Sequence, residues 1–281
     1  MNAPRKLTGS KSAGVDVVVA TAHTRPFALH IDGITLSGLL AEPNGDSRAL
    51  LVALHGHGTT AQYFAGAAEP SLSLLELGAS LGFTVWAPDR IGYGASIDAE
   101  PWLRAMAPQA RLLSDAIDRY AEMYAVGAGA FLIGHSFGFK LALAMAAEPL
   151  KTTLIGIDGS STGLDYAVPF EDWPPKKQPG ERGPSWGPSH LYPPATFDPE
   201  LRIIAPIATP PPSEGTEWPD DFRRLAPGIG VPVRFTIAEF DRLWAASDEH
   251  YAAIRALLTS APTVEWSVQR NAGHNISVSW V

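Results

Sequence analysis

Three residues far apart in this chain could together do chemistry that none can do alone. They are a serine in Gly134-His135-Ser136-Phe137-Gly138, a carboxylate at Asp241 and an imidazole at His274. A serine hydroxyl is a weak nucleophile until a base takes its proton, and the suitable base is a histidine oriented by a carboxylate. The glycines two before and two after Ser136 leave room for a turn so tight that the serine is forced into a strained backbone position with its hydroxyl held clear. If a helix starts directly after it, that helix's unpaired N–H groups face the place where negative charge would develop on an attacked carbonyl.

Such a set works only if the chain brings it together, and the flanking patterns indicate how. Residues 130–133 are a short apolar run ending in glycine, as a buried strand does. Phe137, Leu141 and Met145 then recur at helical spacing in an alanine-rich stretch. This is the strand, turn and helix that the Gly-x-Ser-x-Gly pattern needs. Residues 49–54, ALLVAL, form a continuous apolar strand suited to the middle of a sheet. They run into His55-Gly56-His57-Gly58, with Thr59 or Thr60 able to cap the next element. Further strands are predicted at 15–21, 26–31, 34–42, 83–87, 152–157, 232–238 and 263–268, with Asp32-Gly33 as a hairpin turn. Helices are predicted at 71–81, 108–125 and 248–258, the second with Pro108 in its first turn. Strands alternating with helices imply an α/β fold, a mostly parallel sheet covered on both faces. Reacting groups in such sheets gather beyond the carboxyl ends of the strands. Ser136, Asp241 and His274 all fall there, in the order serine, acid, histidine.

The stretch 163–230 differs. It holds most of the chain's prolines, few long apolar periods, and many aromatics, among them Trp173, Trp186, Tyr192 and Trp218. Proline disfavours long regular elements, while so many large apolar side chains argue against disorder. The expectation is a packed, irregular lid. The net charge of −8 argues against a nucleic-acid partner, which would favour a basic face. With no cysteine, disulfides and thiolate metal sites are excluded. No histidine–carboxylate cluster has metal-ligand spacing and no phosphate loop of Walker type is present, so no cofactor is expected. No stretch approaches the roughly 18 apolar residues of a membrane span, and the early apolar run, broken by Asp16, is too short for a signal-peptide core. A cytoplasmic protein is expected, with residues 1–14 as a loose tail, 15–162 and 231–281 as the core, and 163–230 as the lid.

Four motifs together resemble the α/β-hydrolase family: His55-Gly56 after an apolar strand, Asp89-Arg90-Ile91-Gly92-Tyr93-Gly94-Ala95-Ser96, the Ser136 motif, and Gly273-His274. The resemblance covers nearly the whole chain and implies the α/β-hydrolase fold, with the Pro-rich cap inserted after the sixth strand. It implies an oxyanion hole of backbone N–H groups from Phe137 and from the His55-Gly56 loop, where His57 is the expected donor, with a side-chain contact to substrate or a capping role as its alternatives. For the acid, Asp241 has rivals in Glu239, two residues away, and Asp158, at a position some relatives use. Asp89 is expected to brace its glycine loop through side-chain-to-backbone bonds, and His135 to pack beside the sheet. The chain departs from the family pattern in ending soon after His274, where relatives have a closing helix, and in placing Lys140 on the helix after the serine, where its stem is expected to snorkel to solvent.

A serine nucleophile argues against the epoxide hydrolases and haloalkane dehalogenases of this family, which use aspartate. The expected reaction is hydrolysis of a carboxylic ester or thioester. The aromatic lid implies an apolar or aromatic acyl group, with Trp173, Trp186, Tyr192 and Trp218 as candidate contacts. An acyltransferase or cyclase, a cofactor-free haloperoxidase and a carbon–carbon hydrolase would use the same three residues. A ligand-binding member of the fold with little turnover is the alternative from another class.

Overall fold

The computed structural model describes residues 24–148, 150–169, 172, 176, 182–183, 185–206 and 217–280. The predicted tail at 1–14, the predicted strand at 15–21 and Trp173 lie outside the described residues. The strands are β1 Arg25–Ile31, β2 Ile34–Ala41, β3 Leu50–Leu54, β4 Thr84–Pro88, β5 Ala130–His135, β6 Leu154–Ser160, β7 Val233–Ala238 and β8 Val264–Gln269. They form one sheet in the order β1-β2-β4-β3-β5-β6-β7-β8. β1 and β2 are antiparallel, as are β2 and β4, and every later pair is parallel. Asp32 and Gly33 both have positive φ, 47° and 77°, as the tight turn of a two-residue hairpin requires.

The helices are α1 Leu74–Ser80, α2 Met106–Met123, α3 Phe137–Ala146, α4 Trp218–Leu225 and α5 Asp248–Leu257. They bury apolar faces on both sides of the sheet. Leu113, Ile117, Leu141 and Phe222 join one buried cluster with Leu54 and Phe235, and Leu75 joins a second with Ala53 and Val85. β3 is buried along nearly its whole length because it lies mid-sheet. β7 alternates instead: Val233, Phe235 and Ile237 are buried, while on the opposite face Arg234 pairs with Asp158 and Thr236 bonds Ser267.

Where boundaries differ from expectation, the causes are local. β6 runs on through Asp158-Gly159, predicted to end it, because both flanking strands continue to pair with it. Gly159 serves close packing, since a Cβ there would strike the Phe139 ring. α1 starts later than predicted because Ser73 caps it, its Oγ accepting from Glu76 N–H at 3.1 Å. Thr60 is the cap expected after β3, its Oγ1 accepting from Gln62 N–H at 3.2 Å.

Within 163–230, the described residues form short 3₁₀ turns at Ser189–Leu191, Pro194–Phe197 and Pro199–Leu201, then α4. The second and third turns each open with a proline, which supplies a helical φ without costing a bond. The stretch is tied to the loop after β3: Thr60 N–H donates to Ile203 O at 3.2 Å and Ala205 N–H to Gly58 O at 2.9 Å. Its last part is built into the core, since Trp218, Phe222 and Leu225 share the cluster that holds Phe235.

Candidate active site

Ser136 stands between β5 and α3 with φ 52° and ψ −118°. A side chain held there costs about 1–3 kcal/mol and persists only where its surroundings enforce it. Ser136 N–H donates to Ser160 O at 2.8 Å, and Thr162 Oγ1 donates to Ser136 O at 2.8 Å. The flanking glycines permit the close approach: a Cβ at Gly138 would strike Leu54 O, and one at Gly134 the backbone of Phe139.

His274 reaches this turn from the loop after β8. Its Nε2 lies 3.1 Å from Ser136 Oγ and its Nδ1 2.8 Å from Asp241 Oδ2. A carboxylate only accepts, so Nδ1–H donates to Asp241 and Nε2 is left to accept from the serine hydroxyl. The His274 and Asp241 side chains are 5% and 0% exposed. The His274 loop is held from another segment, Ser161 Oγ donating to His274 O at 2.6 Å, and the Asp241 carboxylate is fixed within its own loop, Leu243 N–H donating to Oδ1 at 3.0 Å. The two rival carboxylates are engaged elsewhere. Glu239 pairs with Arg270 at 3.1 Å and accepts from Asn271 N–H, and Asp158 pairs with Arg234 on the sheet face.

On the other side of Ser136 lies the loop after β3. A Cβ at Gly56 would stand 3.2 Å from Ser136 Cβ and 3.0 Å from the His135 ring, so a larger residue would press on the turn by a few tenths of an ångström. The loop is pinned by residues whose role no sequence pattern announces. His55 Nε2 accepts from Arg90 N–H at 2.9 Å, which leaves His55 Nδ1–H to donate to Gly56 O at 2.9 Å. Tyr93 Oη accepts from Gly58 N–H at 3.0 Å. Arg90 and Tyr93 are visible inside the glycine-rich motif, but nothing in their spacing says that they reach the neighbouring loop. Asp89 reaches its glycine loop through an intermediary, not by the direct side-chain-to-backbone bonds expected: it accepts from Ala61 N–H at 2.9 Å and from Ser37 Oγ at 2.8 Å, and Ser37 Oγ in turn accepts from Ala95 N–H of the glycine loop. The His57 ring packs against the Phe137 ring at 4.4 Å.

Several side chains sit differently from expectation. Lys140 does not snorkel; it is 7% exposed and surrounded by rings. Trp218, a candidate substrate contact, is enclosed by protein and donates its indole N–H to Gly163 O at 2.8 Å. Tyr192 is likewise enclosed, and its hydroxyl donates to Trp186 O at 2.5 Å. The space a Gly273 side chain would need is filled by that hydroxyl and carbonyl, so Trp186 and Tyr192 buttress the loop that carries His274. Aromatic richness alone could not separate buttress from pocket wall. His135 packs beside the sheet, stacked on Tyr63 at 4.6 Å, with Nε2 donating to Asn275 Oδ1 at 3.2 Å.

Three imidazoles here are held neutral. Burial pushes His55, His57 and His135 well below the ordinary 6.5; Arg90 adds to this for the first two and His274 for the third. The folded chain keeps these protons off, while the unfolded chain takes them up as pH falls through 6.5. Stability from this source is therefore complete above that pH and lost below it, by up to about 1.4 kcal/mol per pH unit for each histidine. Urea midpoints are expected to fall steeply from pH 7 to pH 5; a flat profile would show that these rings protonate in place.

Among the described residues, no group of three histidines or carboxylates is placed to hold a metal ion, and no helix is long and apolar enough to cross a membrane.

The family described as the Alpha/beta hydrolase family is matched by residues 51–280. No protein of curated function matches the sequence significantly. Among solved structures, a membrane phospholipase A described as a bacterial virulence factor is 18% identical, with 91% of this chain and 81% of that chain covered and a TM-score of 0.63. A thermostable carboxyl esterase from Bacillus coagulans is 16% identical, covers 90% and 92%, and scores 0.62. The thioesterase domain of the curacin biosynthetic pathway is 16% identical, covers 91% and 95%, and scores 0.58. At these identities the likeness is one of fold.

Proposed function

Because the chain belongs to the alpha/beta hydrolase family, we propose that it hydrolyses a carboxylic ester or thioester through an acyl-enzyme on Ser136. The observation that carries this reading is the unbroken line of hydrogen bonds from Ser136 Oγ through His274 to Asp241, at 3.1 and 2.8 Å. Ser136 Oγ attacks the carbonyl carbon as its proton passes to His274 Nε2, and Asp241 stabilises the imidazolium that results. The negative oxygen of the tetrahedral intermediate is received by the N–H groups of Phe137, first residue of α3, and His57. Such fixed dipoles need no rearrangement as the charge appears. Collapse breaks the bond to the alcohol or thiol, which takes the proton from His274 Nε2. A water molecule, activated by the same imidazole, then attacks the acyl-enzyme, and the serine is released with the acid.

The ties between 202–205 and the loop after β3 support reading the first part of the 163–230 stretch as a lid over the acyl group. The stacked rings of Tyr166 and Trp244, on the segments that carry Thr162 and Asp241, which hold Ser136 O and His274, suit an apolar or aromatic acyl chain.

The test is pre-steady-state hydrolysis of p-nitrophenyl acyl esters and of matched acyl thioesters. An initial burst of leaving group, approaching the amount of enzyme, is expected before the steady rate with the p-nitrophenyl esters, because so good a leaving group makes acylation faster than deacylation. Leaving-group release with no acyl-enzyme detectable by rapid quench and mass spectrometry would contradict the covalent route. No release from any member of either series would overturn the hydrolase reading.

A further inference from the structure

His135 and Asn275 take no part in acyl transfer as proposed, yet they are the chain neighbours of Ser136 and His274. Both are buried, 1% and 5% exposed, and their side chains meet: His135 Nε2 lies 3.2 Å from Asn275 Oδ1. The line of bonds runs on at both ends. His135 Nδ1 lies 3.2 Å from Ser160 Oγ, and Asn275 Nδ2 donates to Ser185 O at 2.8 Å.

The outer end fixes the polarity of the whole line. A backbone carbonyl only accepts, so the Asn275 amide turns its N–H₂ to Ser185 and its Oδ1 to His135. His135 must then donate from Nε2. Burial, and after it the nearby His274, hold this ring neutral, so Nδ1 carries no proton and accepts from the Ser160 hydroxyl. Each buried polar group in the line has its partner, and such a fully satisfied network is rigid.

The line crosses the catalytic frame at each member. Ser160 also receives Ser136 N–H on its carbonyl. The His135 ring stacks on Tyr63, whose hydroxyl accepts from Ser277 N–H at 3.2 Å, and stands edge-on to the His274 ring at 5.2 Å. The elbow and the histidine loop are therefore linked by a second side-chain bond, beside the one from Ser136 to His274. The two bonds differ in their fate during the reaction. Once Ser136 Oγ is bonded to the acyl carbon it has no hydrogen to give, and its tether on His274 Nε2 is gone. The His135–Asn275 bond uses no reacting atom, so it outlasts that step. The imidazole must then orient a water, and a misplacement of about 1 Å at such a point costs about a hundredfold.

We propose that His135 and Asn275 are positioning residues whose hydrogen bond keeps His274 in place over the acyl-enzyme, so that its loss slows deacylation more than acylation. This rests on the acyl-ester reading of the site, and the experiment separates the two.

With p-nitrophenyl acetate followed by stopped flow, kcat reports deacylation and kcat/KM reports acylation. Rates are taken per site titrated by the burst, so unfolded chains do not count. Asn275→Ala, and His135→Phe, which keeps a ring on Tyr63 but no hydrogen bond, should each lose about tenfold or more in kcat and less than about threefold in kcat/KM. His135→Gln offers an amide N–H to Asn275 and an amide oxygen to Ser160, and should recover most of kcat. Losses of equal size in kcat and kcat/KM, or no loss in kcat, would overturn the inference.

A second arm needs no turnover. Ser136→Ala removes the serine tether outright, and the far-downfield proton resonance of His274 Nδ1–H, which bonds Asp241, then reports how firmly the ring is held. It should persist in Ser136→Ala and broaden away when Asn275→Ala is added. A resonance indifferent to Asn275→Ala would overturn the inference. The expected loss of the resonance, in a protein whose wild type forms no acyl-enzyme, would support the positioning pair and overturn the ester reading alone.

Discussion

Ser136→Ala is expected to lower kcat by about 10⁵-fold or more for whichever ester the protein turns over, with KM little changed. The hydroxyl forms its new bond only on the way to the transition state, so its loss removes rate and leaves ground-state binding. The variant should fold. Everything that fixes the turn acts through the backbone: Ser160 O receives the N–H, Thr162 holds the carbonyl, and the two glycines clear the space around it. Thermal melts run alongside steady-state kinetics check this, with a melting temperature close to wild type expected. A loss of less than about a hundredfold would mean that another group carries the attack, since triad members act as a unit and each removal is severe.

Asp241→Asn is expected to cost about 10⁴-fold in kcat, for a reason written in the hydrogen bonds. Asp241 Oδ1 accepts from Leu243 N–H and Oδ2 from His274 Nδ1–H. An asparagine must turn its oxygen to the backbone donor at Leu243, which presents its amide N–H₂ to His274. Nδ1 is then forced to accept, the ring proton moves to Nε2, and Nε2 can no longer take the proton of Ser136. Nitrogen chemical shifts of His274 are expected to report this change of tautomer, together with the kinetic loss. Glu239→Gln, whose carboxylate is committed to Arg270 and Asn271 N–H at the surface, should stay within about threefold of wild type. A crippled Glu239→Gln beside a nearly normal Asp241→Asn would reassign the acid.

The sheet was legible because burial writes itself into composition. The continuous apolar run at 49–54 is read as a mid-sheet strand, and β3 lies there, buried along nearly its whole length. The candidate site was legible in its three chemical groups for a related reason: each comes soon after a strand, and in a parallel sheet those strand ends meet along one edge. What could not be read were the contacts made across loops. Arg90, Tyr93, His55 and Thr162 act through hydrogen bonds to residues far away in the chain, and such bonds leave no period in the sequence. Lys140 was misjudged for another reason. A charged residue on a buried helix normally escapes along its own stem, and the cage that retains it is assembled from Tyr166, Trp218 and Trp244, brought in by three separate segments. Nor could the aromatics of 163–230 be sorted by type, since buttresses such as Tyr192 and pocket walls have the same composition.

The most direct measurement of the central claim is the site and rate of covalent capture by a fluorophosphonate, which needs no knowledge of the natural substrate. Wild-type protein is expected to gain a single adduct, mapped by peptide mass spectrometry to Ser136, with labelling slowed by orders of magnitude in His274→Ala and absent in Ser136→Ala. Labelling at another residue, or equal labelling rates in the wild type and His274→Ala, would contradict a serine activated by that imidazole.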